Sequence, residues 1–167
     1  WASAGASRDL DISPNQTWVA ACGAGGRIEI YDWKTDERVR RLKGMTHKTY
    51  HGVDFSPDGQ RLPATSTDQV GRLWDVQTGE LSQQFPAQSR DNAECNVFFL
   101  PNGKQFLVAA SGPTGILQLF DLIRCQLVAD LPIGHKVGGK IAIAPDGKQF
   151  VSGHYGGKIT LFDLVSR

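Results

Sequence analysis

Residues 56–75 read SPDGQRLPATSTDQVGRLWD, and this stretch decides the fold. Pro57 presets φ at the first corner of a turn and Gly59 accepts the positive φ that ends it, so the apolar run YHGVDF (50–55) reverses into a second strand. That strand breaks at a turn containing Asp68 and returns as VGRLWDV, whose alternation marks one buried face. The same plan recurs in SPNQTWVAACGAGGRIEIYD (13–32), LPNGKQFLVAASGPTGILQLFD (100–121) and APDGKQFVSGHYGGKITLFD (144–163). Turn prolines fall at 14, 57, 101 and 145, and each unit closes on an aromatic-Asp pair: Tyr31-Asp32, Trp74-Asp75, Phe120-Asp121 and Phe162-Asp163. A polar turn such as QTGE (77–80) leads to a fourth run, RVRRLKG (38–44), LSQQFPA (81–87) or QLVADLP (126–132). Extended runs at this spacing, without a 3.6-residue periodicity, make an all-β meander of four-stranded antiparallel units.

Composition agrees. In 167 residues, 19 Gly and 8 Pro favour tight turns over long helices, and 40% apolar content supports one core of domain size. Lys plus Arg (18) nearly cancels Asp plus Glu (17), so no general field draws the chain to nucleic acid or to an acidic membrane. No run has the length and apolarity of a membrane span, and the N-terminal WASAGASRD is not built as a signal peptide. Cys22, Cys95 and Cys125 are odd in number and show no C-x-x-C, which fits a reducing compartment; the expected localisation is cytoplasmic.

The order Pro-Asp-Gly turn, strand, Asp turn, strand, Trp-Asp, with Gly-His before the next unit, resembles the WD40 repeat, whose units form β-propeller blades. The resemblance implies a single segment (1–167) of a partial propeller with four blades, at about 10–47, 50–89, 94–135 and 138–167. Sixteen strand positions are expected, the outer one of the last blade missing or borrowed, because the chain stops at LVSR (164–167). In that family a His, a strand hydroxyl, the turn Asp and the Trp form a hydrogen-bonded structural tetrad, which would here be His47, Ser66, Asp68 and Trp74. The other units have Gly25, Thr114 and Gly156 where the second has Asp68, and close on Tyr or Phe. A ring of seven such blades needs roughly 300 residues, so completion is expected from further blades of the same chain, a second copy or another chain.

Several motifs read as framework rather than chemistry. Gly23-Ala24-Gly25-Gly26 is a turn, since Ile28 stands where a phosphate loop needs its third glycine. His47 and His51 have helical ligand spacing but sit on a loop entering a strand, so no metal site is expected. The sequence lacks a G-x-S-x-G nucleophile elbow, and Asn15-Gln16-Thr17 is a sequon by coincidence. Arg38, Arg40, Arg41 and Lys43 lie on an outermost strand, where positive charge protects an edge from pairing. Trp18, Trp33 and Trp74 are placed in strands as core or blade-interface residues.

In propellers of the resembled family, the loops between blades and the turns between second and third strands meet on one rim, where partners dock. Mapped by the resemblance, that rim carries Tyr50, His51, Thr67, Arg90, Asp91, Lys136, His154 and Tyr155. The expected function is a non-enzymatic interaction scaffold with a protein or peptide partner, no cofactor, no nucleic acid and no membrane. The alternative is the propeller domain of an enzyme, lactonase-like or gating the substrate of a hydrolase or redox protein. Carboxylates and histidines clustered at the channel mouth would favour that alternative.

Overall fold

The structure is a computed structural model, and it describes residues 6–42, 48–87, 94–110, 115–132, 137–154 and 157–164. These form fifteen strands: β1 (Ser7–Ile12), β2 (Trp18–Gly23), β3 (Ile28–Asp32), β4 (Arg38–Leu42), β5 (Tyr50–Val53), β6 (Arg61–Ser66), β7 (Val70–Asp75), β8 (Leu81–Pro86), β9 (Cys95–Phe99), β10 (Gln105–Ala110), β11 (Ile116–Asp121), β12 (Leu127–Pro132), β13 (Val137–Ile143), β14 (Gln149–His154) and β15 (Ile159–Asp163). They assemble as antiparallel meanders β1–β4, β5–β8, β9–β12 and the three-stranded β13–β15. The first blade begins three residues earlier than the sequence suggests, because Ser7 and Asp9 already pair with Gly23 and Cys22 of β2.

Each first hairpin is closed by the predicted turn. The Ser56 hydroxyl donates to Asp58 Oδ1 at 2.5 Å and accepts the Arg61 N–H at 2.8 Å, while Gly59 N–H donates to Ser56 C=O at 2.7 Å. Gly59 sits at φ +70°; the first blade places Gln16 in the same left-handed slot, at φ +57°. The closing aspartates cap the next turn: Asp32 Oδ1 accepts from the Lys34 and Thr35 amides, Asp75 Oδ1 from Thr78, and Asp121 Oδ1 from Arg124. This cap ends the strand at Asp32, so Trp33 lies in the turn, 48% exposed, with its indole N–H on Gln16 C=O. The expected core placement of Trp33 is therefore corrected, whereas Trp18 packs partly buried against the first core.

Alternation within the strands buries one face of each blade against the next. Ala20, Cys22, Ile28, Ile30 and Leu42 of the first blade meet Tyr50, Leu62, Ala64 and Trp74 of the second. Leu73 and Phe85 then meet Val97, Phe106, Val108 and Phe120 of the third, with Phe106 and Phe120 stacked at 5.4 Å. A third cluster joins Leu107, Ala109 and Leu117 to Phe150 of the fourth. The two outward faces of the arc remain apolar: Leu10 and Ile12 are 56% and 60% exposed at one end, Ile159 and Leu161 78% and 62% at the other.

Candidate functional site

The inner strands converge on the arc's axis, and their starting ends carry the rim. Arg8 of β1 and Glu94, just before β9, form an ion pair at 3.0 Å that spans from the first blade to the third. Between them lies His51 of β5, its Nδ1 4.0 Å from the same Glu94 oxygen. Burial pushes the His51 pKa down, against the opposing pull of Glu94. Its Nε2 meets no hydrogen-bond partner among the described residues. Thr67 stands beside it on the turn between β6 and β7, its amide on Thr49 C=O at 2.9 Å and its hydroxyl accepting the Thr49 N–H at 3.3 Å.

Of the expected rim residues, His51 and Thr67 are thus brought together at one end of the inner strands, and Arg8 and Glu94 join them. Tyr50 is a correction: it points into the first core, fully buried, its ring edge-on to Trp74 at 5.8 Å. The strand's two-residue period sends Tyr50 and His51 to opposite faces, which a list of loop residues does not separate. Arg90, Asp91, Lys136 and Tyr155 lie outside the described residues, and His154 is described only as the backbone end of β14, paired with Val137.

Three residues of the expected tetrad, Ser66, Asp68 and Trp74, lie within the described residues. Trp74 is fully buried, and the Ser66 hydroxyl donates to Asp68. His47 lies outside the described residues. Sequence reasoning missed Arg72: this buried guanidinium reaches Asp68 Oδ2 at 2.7 Å and Ser66 Oγ at 3.2 Å. Burial alone would raise the Asp68 pKa, but the hydrogen bonds from Arg72, Ser66 and the Val70 amide outweigh it and hold the carboxyl at about 2. The signal was available, since Arg72 occupies an alternating position on the face of Leu62 and Trp74, where an unpaired charge is not tolerated.

Glu29 stands two residues before Tyr31 as Arg72 stands two before Trp74. It is buried, accepts the Tyr31 hydroxyl at 2.7 Å and pairs with Arg41 at 2.7 Å and Arg38 at 3.2 Å. Two charges of the basic outer strand are thus held within the blade. A third, Arg40, reaches across to Thr78 C=O of the second blade at 3.2 Å.

A ladder of carboxylates runs along the axis. Asp9 Oδ2 accepts the Val53 amide at 3.1 Å, Asp11 Oδ2 the Phe55 amide at 2.6 Å, and Asp54 Oδ2 the Phe99 amide. Donor and acceptor are 44 or 45 residues apart, one blade. Burial and the neighbouring Asp11 charge push the Asp54 carboxyl up, to about 8, so it holds its proton at neutral pH. Gly52 is required here: a Cβ on it would lie 2.7 Å from Asn96 Cα, so the close approach of β5 and β9 excludes a side chain.

Comparison with known proteins adds the family. The WD40 family, described as WD domain, G-beta repeat, matches residues 4–32 and 37–75. Residues 4–32 and 37–75 are WD40 repeats, and WD-repeat relatives support a WD40 β-propeller family for the chain. SEC12-like protein 1 of Arabidopsis thaliana is 24% identical over 164 residues, 97% of this chain and 41% of that protein. WD repeat-containing protein 1 of Rattus norvegicus is 36% identical over 82 residues, 47% of this chain and 13% of that protein. This WD40 chain therefore spans less than half the length of the curated relatives it matches. Among solved structures, the Kuenenia stuttgartiensis hydrazine synthase superposes with a TM-score of 0.84 at 18% identity, over 96% of this chain and 46% of that one, a likeness of fold.

Proposed function

We propose that this WD40 segment is a non-enzymatic platform for a protein or peptide partner, docking at the rim around Arg8, His51, Thr67 and Glu94. One observation carries the reading: five carboxylates among the described residues that are displaced from their ordinary pKa are each spent on framework. Asp54 holds the next blade's amide, Asp68 holds Arg72, Asp58 and Asp75 hold their turns, and Glu29 holds Tyr31 and Arg41. Arg8 and Glu94, by contrast, are about half exposed and present both charge signs at one end of the arc. WD-repeat relatives support a partner-binding role, and buried free cysteines accord with a reducing, cytoplasmic setting.

The test is a photo-crosslinking amino acid installed at Thr67 and, as a control, at Ser82 on an outer strand. Saturable capture of one protein species at Thr67, weakened by Arg8→Glu and absent at Ser82, is the expected outcome. Equal capture at both positions would count against a rim site.

A second reading, the propeller domain of an enzyme, has one observation behind it: Asp9, Asp11 and Asp54 cluster on the axis, with Asp54 protonated near neutrality. All three bind backbone amides, which favours the framework role. Asp54→Asn separates the readings, because a platform retains partner capture and a general acid at this position is lost.

A further inference from the structure

The turn that joins β9 to β10 carries Asn102-Gly103, and Asn102 is the only asparagine in the sequence followed by glycine. Asn102 is exposed, and Gly103 sits at φ +65°. Such a pair can modify itself. The backbone nitrogen of the glycine attacks the asparagine Cγ, the bond from Cγ to Nδ2 breaks, and the amide nitrogen leaves as ammonia with the proton that the glycine nitrogen gives up. The five-membered succinimide then adds water at one of its two carbonyls, which yields aspartate or isoaspartate. Glycine in the second position removes the side chain that would crowd the attacking nitrogen.

In the folded hairpin three hydrogen bonds hold the pair away from this reaction. Gly103 N–H, whose proton the attacking nitrogen must lose, donates to Leu100 C=O at 3.0 Å. Asn102 Oδ1 accepts the Lys104 N–H at 2.9 Å and Nδ2 donates to Gln105 Oε1 at 3.2 Å, so both ends of the carboxamide are tethered. The aspartate product already has a native copy, for residues 145–150 read PDGKQF where 101–106 read PNGKQF. There Asp146 Oδ1 accepts the Lys148 N–H at 3.0 Å, Gly147 N–H donates to Ala144 C=O at 2.8 Å, and Gly147 sits at φ +69°. Asp58 holds the Gln60 N–H in the same way in the second blade. Isoaspartate has no such copy. It routes the main chain through Cβ and Cγ, adds a methylene to the turn and leaves its carboxylate on Cα, out of register with the Lys104 amide. The fourth blade would feel that shift, because a Cβ on Gly147 would lie 3.3 Å from Pro101 Cδ, a sign of how closely the two turns stack.

We propose that Asn102 is a modification site at which the chain deamidates with water and no enzyme, gated by opening of the β9–β10 hairpin, and that the hairpin re-forms on aspartate but not on isoaspartate. Asn15 is the internal contrast. Its Oδ1 accepts the Thr17 N–H at 3.2 Å in the equivalent turn of the first blade, but Gln16 follows it and crowds the attacking nitrogen. Each event at Asn102 replaces a neutral amide with a carboxylate and lowers the formal net charge of +1 by one. Rim docking plays no part in it.

Ageing the purified chain at pH 7, with and without urea, and reading its peptides by mass spectrometry with fragmentation that separates aspartate from isoaspartate tests the site. Asn102 is expected to be converted before Asn15 in both conditions, and roughly tenfold or more slowly in the native chain than in the unfolded one. Asn102→Asp, which copies the fourth blade's turn, should keep the parent's urea midpoint. A short pulse of protease on the aged chain should remove the isoaspartate-bearing molecules first and leave the aspartate-bearing ones. Conversion of Asn15 ahead of Asn102 would overturn the site, and equal rates in native and unfolded chains would overturn the gate. An Asn102→Asp midpoint well below the parent's, or equal survival of the two products under protease, would overturn the claim that the fold accepts one product and rejects the other.

Discussion

Arg72 is the residue on which the second blade's polar interior turns. Its guanidinium is buried among the Asp68 carboxylate, the Ser66 hydroxyl and the Val70 carbonyl, whose hydrogen bonds offset the cost of desolvating it. Removing one partner is worse than never having had the pair. Asp68→Asn should cost about 3 kcal/mol, since it strands a buried cation, and Trp74→Ala about 3–5 kcal/mol through the cavity it leaves. The two should differ in acid. Asp68 is held at about 2, below its unfolded value, so its contribution is present above about pH 4 and lost as pH falls through about 2. Urea unfolding at pH 7 and pH 2.5 measures both: the Asp68→Asn penalty should shrink at the lower pH and the Trp74→Ala penalty should not.

Strands and turns were the most legible level. Pro57 and Gly59, and their counterparts at steps of 43 and 44 residues, place the hairpins because local φ preferences act within four residues. Illegible were contacts set by stacking: nothing local in Asp54 announces that its acceptor role lies 45 residues ahead. Trp33 misled for a related reason, since alternation runs on through IEIYDW while the Asp32 cap has already turned the chain. The axial ties carry their own prediction. Asp54 has a folded pKa near 8 against 3.8 ordinarily, so the stability it contributes is complete below about pH 4 and is lost as pH rises toward 8. His51, held neutral by burial, works in the opposite direction below its ordinary value of 6.5, so the net slope mixes the two. The difference between the parent chain and Asp54→Asn isolates the carboxyl: relative to the parent, the variant should gain on going from pH 5 to pH 8 in urea midpoint. Parallel midpoints across that range would show that Asp54 is ionised in the folded chain.

Taken whole, the arc ends in two apolar faces, Leu10 and Ile12 on one, Ile159 and Leu161 on the other. Covering several hundred Å² of such surface at ~25 cal/mol per Å² is worth many kcal/mol, so the 167-residue segment in isolation should associate or aggregate. Analytical ultracentrifugation at micromolar concentration is expected to find at least a dimer, and a sharp monomer boundary with a cooperative melt would show that four blades suffice. The cysteines offer a way to follow such assemblies. All three are buried, Cys22 with its thiol pushed up to about 12 and Cys125 to about 11. Cys22 belongs to the first core and Cys95 and Cys125 to the second. A brief pulse of maleimide therefore leaves the native chain unlabelled, and the order in which the three sulfurs become alkylated in rising urea is a clock of which core is breached first, with the fourth blade silent by composition.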